Sequence, residues 1–151
     1  MKRKYIIGGA VLLLLLGIFS YFHVTGRELT PIAALTEDYR CEITVRQDSL
    51  SGLQTEYTLT GGQILRLREL ILSSSFTRIP SNSFRYSGLR DTYSFLLELE
   101  DSHGQQQDFI QLYCVEGLYF RINAPYYRMN LTLKINSPGW HEQLQEILES
   151  N

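Results

Sequence analysis

The chain has 151 residues, the size of one ordinary domain, and contains 14 basic and 16 acidic residues. Lys2, Arg3 and Lys4 precede a long apolar run, so the rest of the chain carries 11 basic against 16 acidic residues, a net charge of −5. Contacts with nucleic-acid phosphates need a positive surface, so this charge excludes non-specific nucleic-acid binding.

The first element is an apolar run over residues 5–24 that contains no charged side chain. At 1.5 Å of rise per residue, a helix of this length covers about 30 Å, the thickness of the hydrocarbon core of a bilayer. We predict a cytoplasmic tail at 1–4 and a single transmembrane anchor at 5–24, with the chain beyond it extracytoplasmic because the basic residues stay inside. The alternative is a cleaved signal peptide, whose apolar region is usually shorter and which places the domain on the same side.

Residues 25–39 include the helix breakers Gly26 and Pro31 and are predicted to form a stalk. The extracytoplasmic domain is then expected over 40–151. Apolar and polar residues alternate from Arg40 to Arg46 and again around Tyr57, with a turn at 49–52 between the two runs. A period of two indicates strands with one buried face, so these runs predict a hairpin.

Thr60 and Gln63 have the spacing of a capping box, which predicts that a helix begins at this point. Its apolar face is broad, and serines at 73–75 mark its end. The residues of that face are Ile64, Leu65, Leu67, Leu70, Ile71 and Leu72.

Three strands that form an antiparallel meander are predicted next. Alternation from Tyr93 to Glu100 ends in a turn at 101–104, and a return strand covers 107–115. Glu116 and Gly117 suit a two-residue hairpin turn into the third strand. A further short strand carries Leu131, Leu133 and Ile135.

The last element is a helix, with Ser137 predicted as its N-cap and Pro138 at its first position. Trp140, Leu144, Ile147 and Leu148 form its apolar face. The order of the elements predicts an α+β fold: one transmembrane helix, then an antiparallel sheet with two helices packed on one side.

Few residues in the chain suit chemistry. Cys41 and Cys114 are predicted on inward strand faces, either joined by a disulfide or as two separate buried thiols. No metal-ligand spacing, cofactor motif or catalytic motif is present. The acidic residues near the meander are assigned to a solvated strand face and a turn; the alternative is a small envelope enzyme that uses them with His103. These acidic residues are Asp91, Glu98, Glu100, Asp101 and Asp108.

Two irregular segments are rich in tyrosine and arginine, the residue types enriched at recognition hot spots. They supply the binding candidates Arg85, Tyr86, Arg90, Tyr126, Tyr127 and Arg128. Five arginines within 62–90 are followed by six acidic residues within 91–116, a charge separation that either steers a partner or closes by pairing across the sheet. We therefore expect a non-catalytic, membrane-tethered binding or sensing module for an envelope protein or polymer, or else a structural accessory subunit of a membrane complex.

Three stretches carry a resemblance to a known class of proteins: residues 57–60, the helix over 64–76 with its exit, and residues 140–144. With the basic start and the apolar anchor, this layout resembles the small extracytoplasmic domains of unknown function in membrane-anchored proteins of Gram-positive bacteria. The resemblance implies a location at the outer face of the cell membrane, and it implies no activity.

Overall fold

The computed structural model describes residues 2–46, 54–80, 91–115 and 118–150, with side chains from residue 8 onward. The helices in these ranges are α1 (Lys2–Phe22), α2 (Thr30–Ala33), α3 (Gly61–Leu72) and α4 (Trp140–Glu149). The strands are β1 (His23–Thr25), β2 (Arg40–Arg46), β3 (Gln54–Leu59), β4 (Ser75–Arg78), β5 (Thr92–Glu100), β6 (Gln106–Val115), β7 (Tyr119–Ala124) and β8 (Met129–Ile135). The turns predicted at 49–52 and at Glu116-Gly117 lie outside the described residues.

The eight described strands form one sheet in the order β1-β4-β8-β7-β6-β5-β2-β3, and every pair of neighbours is antiparallel. The β2–β3 hairpin is confirmed, with Cys41 opposite Leu59. The meander of β5, β6 and β7 is also confirmed. The predicted α+β class with an antiparallel sheet is therefore correct.

One face of the sheet is covered by α2, α3 and α4, and the core lies between these helices and the strands. The alternating pattern turns residues such as Ile43, Phe95 and Leu112 towards the helices, where each is at most 1% exposed. Burial of one such side chain contributes about 1.5–3 kcal/mol. The prediction of two helices on one side is confirmed, because α3 and α4 pack together in this layer.

Helix α3 begins as predicted. The hydroxyl of Thr60 accepts the amide hydrogen of Gln63, and the Gln63 side chain accepts that of Thr60 at 2.9 Å. The same Gln63 amide donates to the carbonyl oxygens of Ile147 (2.9 Å) and Ser150 (2.7 Å). One side chain therefore caps α3 and ties it to the last turn of α4.

The predicted start of α4 is wrong. The helix begins at Trp140, and its N-cap is Gly139 with φ 70°. The hydroxyl of Ser137 instead accepts the amide hydrogen of Ser75 at 3.1 Å, and the amide of Asn136 donates to the Ser75 carbonyl at 3.0 Å. These bonds to the start of β4 keep the chain out of the helix until it has passed Ser137.

The prediction of a stalk at 25–39 is also wrong. Leu29, Ile32 and Leu35 are at most 2% exposed and belong to the core. The short apolar patch of this segment is a single helical turn, α2, that packs on the sheet. The domain therefore begins at His23, since β1 pairs with β4 and places Val24 opposite Phe76.

Helix α1 covers most of the apolar run and ends at Phe22, because residues 23 and 24 belong to the sheet. A search of the described residues finds no helix that combines the length and the hydropathy needed to cross a membrane.

We predict that Gly26→Ala destabilises the domain. A Cβ atom at residue 26 would lie 1.8 Å from the carbonyl oxygen of Ile71 and 2.8 Å from the Cα of Leu72, both backbone atoms. The free energy of unfolding should fall by about 1–3 kcal/mol or more. Chemical denaturation of the full chain in detergent, followed by the fluorescence of the single tryptophan, Trp140, measures this change.

The matched control is Gly62→Ala in the first turn of α3, where an added Cβ meets nothing within 4 Å. This change should leave stability unaltered or raise it by up to about 0.5–1 kcal/mol, because alanine favours the helix. Equal stability of the two variants would show that the tight contact between residue 26 and α3 is absent.

Candidate functional site

Strand β6 places a carboxylate on the inner face of the sheet. Asp108 shares the parity of Ile110, Leu112 and Cys114, lies opposite Leu99 and is only 6% exposed. Its assignment to a solvated outer face is therefore wrong. A buried aspartate needs hydrogen-bond donors, since an uncompensated charge in the interior is costly.

The donors come from two distant parts of the chain and from the backbone. The hydroxyl of Tyr39, just before β2, donates to Oδ2 of Asp108, and the amide of Phe109 donates to Oδ1 at 2.7 Å. The hydroxyl of Tyr127 faces both side chains. Tyr39, Asp108 and Tyr127 are called the Tyr-Asp-Tyr cluster below.

Both phenols of this cluster are held in the neutral form. Burial raises the pKa of Tyr39 far above its ordinary value, and the hydrogen bond to Asp108 raises it further. Burial also raises the pKa of Tyr127, and the charge of Asp108 acts in the same direction. The phenols therefore remain hydrogen-bond donors throughout the physiological pH range.

Tyr127 ends a tight turn between β7 and β8. Pro125 fixes φ at the first position of a 3₁₀ turn over Pro125–Tyr127, and Arg128 follows with φ 51° and ψ 34°. The amide of Arg128 donates to the carbonyl of Pro125 at 2.9 Å. Arginine seldom adopts this left-handed conformation, and such outliers concentrate at functional sites.

The turn brings together three of the predicted binding residues. Tyr126 is 59% exposed, Tyr127 is 37% exposed, and Arg128 is exposed. The other three candidates, Arg85, Tyr86 and Arg90, lie outside the described residues. Neither Tyr39 nor Asp108 was predicted to support this turn. The sequence did contain a signal that Asp108 is buried, because Asp108 lies at the same alternate positions of β6 as the apolar residues of its inner face.

The carboxylates and His103 do not form the catalytic site that the enzyme alternative requires. Asp91 and Asp101 lie at opposite ends of β5, about 30 Å apart for nine residues of strand. Oδ1 of Asp101 accepts the amide hydrogens of His103 (2.8 Å) and Gln105 (2.9 Å), so it stabilises the β5–β6 turn. No group of metal-ligating side chains occurs among the described residues.

The charge separation is not closed by pairing across the sheet in the part of the chain that the structure describes. The ion pairs among the described residues are Arg40 with Glu42, within β2, and Arg68 with Glu69, within α3. Such exposed local pairs contribute little to stability.

The register of the sheet excludes a disulfide between Cys41 and Cys114. Cys41 lies opposite Leu97, Leu97 lies opposite Ile110, and Cys114 is four residues further along β6. Two strand spacings and four residues separate the cysteines by roughly 17 Å, whereas a disulfide needs Cα atoms within about 7 Å. Both side chains are fully buried, and burial raises the pKa of the Cys41 thiol to about 12.

A groove of about 450 Å³ lies between α3 and α4, away from the cluster. Its lining includes the apolar side chains of Leu65, Leu70 and Ile147 and the charged side chains of Arg66, Glu69 and Glu146. The groove contains none of the residues that the sequence singled out for binding.

Comparison of the chain with known proteins found no matching family model, no matching curated protein and no matching solved structure.

We predict that Tyr39→Phe destabilises the domain by about 1–3 kcal/mol, because the buried Asp108 carboxylate loses a donor. Chemical denaturation of the full chain measures the loss. Tyr57→Phe is the matched control, since Tyr57 is 46% exposed and should change stability by less than about 0.5 kcal/mol.

The pH dependence tests whether Tyr39 keeps its proton in the folded domain, as its burial and its hydrogen bond to Asp108 both require. A phenol whose pKa is raised in the folded state contributes stability below about pH 10, and that contribution falls as the pH rises above the unfolded value. Above pH 10 the stability of the wild type should therefore fall more steeply than that of Tyr39→Phe. Equal slopes would mean that Tyr39 does not retain its proton in the folded domain.

We predict that both cysteines are unreactive in the native chain because they are buried. Iodoacetamide should add nothing to the native chain and should modify both residues in denaturant without a reducing agent, as read from the intact mass. If the denatured chain accepted the reagent only after reduction, the register given above for β2, β5 and β6 would be wrong.

Proposed function

We propose that the chain is a non-catalytic, extracytoplasmic binding or sensing module tethered to the membrane by α1. The observation that carries this proposal is the exposure of apolar side chains on every side of α1. The five residues from Leu12 to Leu16 are 59%, 71%, 64%, 56% and 53% exposed. Successive residues turn by about 100°, so these five positions go round the whole helix. A helix that is apolar all round is stable in apolar surroundings, and lipid provides them.

The end of α1 supports the same proposal. Phe19, Tyr21 and Phe22 are 67%, 59% and 43% exposed, and aromatic side chains of this kind are enriched where a membrane helix meets water. The basic residues 2–4 at the other end favour a cytoplasmic N-terminus. The resemblance to extracytoplasmic domains of Gram-positive bacteria agrees with this orientation.

Helix α1 joins the domain without a flexible linker. Its last residue, Phe22, is followed directly by β1, which is hydrogen-bonded to β4. The guanidinium of Arg78 at the end of β4 lies 4.7 Å from the centre of the Tyr21 ring, a cation–π contact. A displacement of the helix is therefore passed to the edge of the sheet, as a sensing role requires.

The proposed binding surface is the turn that contains Tyr126 and Arg128. The turn packs against β6 and β8 next to the buried Tyr39–Asp108 hydrogen bond, so its backbone is supported before a partner binds. An envelope protein or polymer is the class of partner that an external domain of this kind meets.

We predict that the double substitution Leu13→Arg and Leu16→Arg releases the chain from the membrane. Each arginine near the centre of a membrane helix costs about 2.5–3.5 kcal/mol. Flotation of vesicles that carry the full chain, after a wash at alkaline pH, measures the bound fraction.

The matched control is Tyr57→Arg with Leu118→Arg, which replaces two exposed apolar side chains of the domain (46% and 36%) and should not change flotation. Glu149→Cys reports orientation, because residue 149 is exposed and both native cysteines are buried. A membrane-impermeant maleimide should label it in intact cells. The proposal fails if the variant with Leu13→Arg and Leu16→Arg floats like the control variant and the wild type. It also fails if the maleimide labels residue 149 only after the cells are lysed.

A further inference from the structure

The direction of the strands shows which turns lie at the end of the sheet from which α1 leaves. β1 starts where α1 stops, so α1 is attached at the N-terminal end of β1 and β1 runs away from that end. Neighbouring strands are antiparallel in the order β1-β4-β8-β7, so β4 and β7 run towards that end and β8 runs away from it. The turn between β7 and β8, residues 125–128, therefore lies on the same side of the domain as α1.

The register indicates how far the turn projects. His23 lies opposite Thr77, and Thr77 lies opposite Lys134. β8 begins at Met129, five residues before Lys134, which corresponds to about 17 Å along the strand in the direction of α1. The twist of the sheet, about 20–25° per strand, swings the turn sideways from the helix. The turn therefore projects towards the end of the domain where a bilayer around α1 would lie.

The sheet is also divided by charge. Its half next to α1, made of β1, β4, β7, β8 and the turn, contains four basic residues and no Asp or Glu: Arg78, Arg121, Arg128 and Lys134. The other half contains five acidic residues against Arg40 and Arg46: Glu42, Glu56, Glu98, Glu100 and Asp108. An anionic bilayer surface attracts the first half and repels the second.

We infer that the Pro125–Arg128 turn is a second membrane contact, in which Arg128 binds the headgroup phosphate of an anionic phospholipid and Tyr126 lies in the interface. The inference rests on the proposed tether. Arginine matches phosphate through paired N–H donors, and an exposed tyrosine has the apolar body and polar tip that suit this depth.

The Tyr-Asp-Tyr cluster has a positioning role in this contact. It lies at the base of the turn, which packs against β6, and Arg128 already has its left-handed conformation there in the absence of lipid. With α1 and the turn both engaged, the chain has one fixed tilt on an anionic bilayer, whereas on a neutral one α1 and the domain tilt together more freely. The module therefore senses the charge of the lipid.

Site-directed fluorescence quenching of the full chain in vesicles tests the inference. Three variants each carry one introduced cysteine, at Leu14 in α1, at Asn130 beside the turn or at Leu118 at the opposite end of β7. A thiol-reactive fluorophore should react only with the introduced cysteine in the native protein, because Cys41 and Cys114 are buried. The vesicles contain phosphatidylcholine alone or with phosphatidylglycerol, and lipids that carry a quencher in the acyl chain or in the headgroup. The acyl-chain quencher should quench the label at residue 14. The headgroup quencher should quench the label at residue 130 but not the label at residue 118. Quenching at residue 130 should be stronger when phosphatidylglycerol is present.

In anionic vesicles, quenching of the label at residue 130 should show that Arg128→Gln lowers the ratio of molecules with the turn on the bilayer to molecules with the turn off it about fivefold. This is the effect expected for one arginine at such a surface. Arg46→Gln, an exposed arginine in the acidic half, is the matched control and should change nothing. High salt should reproduce the effect of Arg128→Gln.

Three outcomes would overturn the inference. If the label at 14 is quenched and the label at 130 is not, the second contact is absent and the tether stands. If quenching at 130 depends neither on phosphatidylglycerol nor on Arg128, a contact exists but no headgroup phosphate is bound. If the label at 14 is not quenched, the tether itself fails and the contact fails with it.

Discussion

The pairing of β1 with β4 is the constraint on which the rest of the molecule depends. Three residues directly after α1 form backbone hydrogen bonds at the edge of the sheet, so helix and domain meet without a linker. Gly26 then passes so close to α3 that its Cα leaves no room for a side chain, and its amide donates to the Ser74 carbonyl at 2.9 Å. These contacts hold the apolar helix at one end of the sheet. The junction therefore determines which turns lie at the end of the sheet next to α1.

The buried carboxylate of Asp108 links the interior to the exposed turn. A charge inside an apolar core is tolerated only with donors, and Tyr39 and the Phe109 amide supply them. The 3₁₀ turn that contains Tyr127 packs against β6, the strand that carries this carboxylate. A core that was optimised for stability alone would carry an apolar residue at position 108. The cost of the charge is understandable if the turn must be rigid where it meets a partner.

The division of charge between the two halves of the sheet gives this rigid turn an electrostatic direction. In the described sheet, basic residues lie near α1 and acidic residues lie away from it, which is the arrangement that the proposed contact with an anionic surface uses. The carboxylates at the two ends of β5 stabilise turns or solvated edges instead of converging. The arrangement therefore suits recognition and orientation better than chemistry.

The sequence by itself determined the elements whose signals are local: the alternation of β2, β3, β5, β6, β7 and β8, the capping box of α3 and the apolar face of α4. The tertiary structure alone decided the features that depend on distant partners. Ser137 suits an N-cap, yet bonds to β4 hold it outside the helix. β1 and β4 are too short to show alternation and are defined by their pairing, β1 with β4 and β4 with β8. Asp108 lies at an alternate position of β6 that is typical of a core residue. Its donor Tyr39 lies 69 residues before it, and no local pattern connects the two residues. Local hydrogen bonding and periodicity act within a few residues, whereas burial and register are set by the whole sheet.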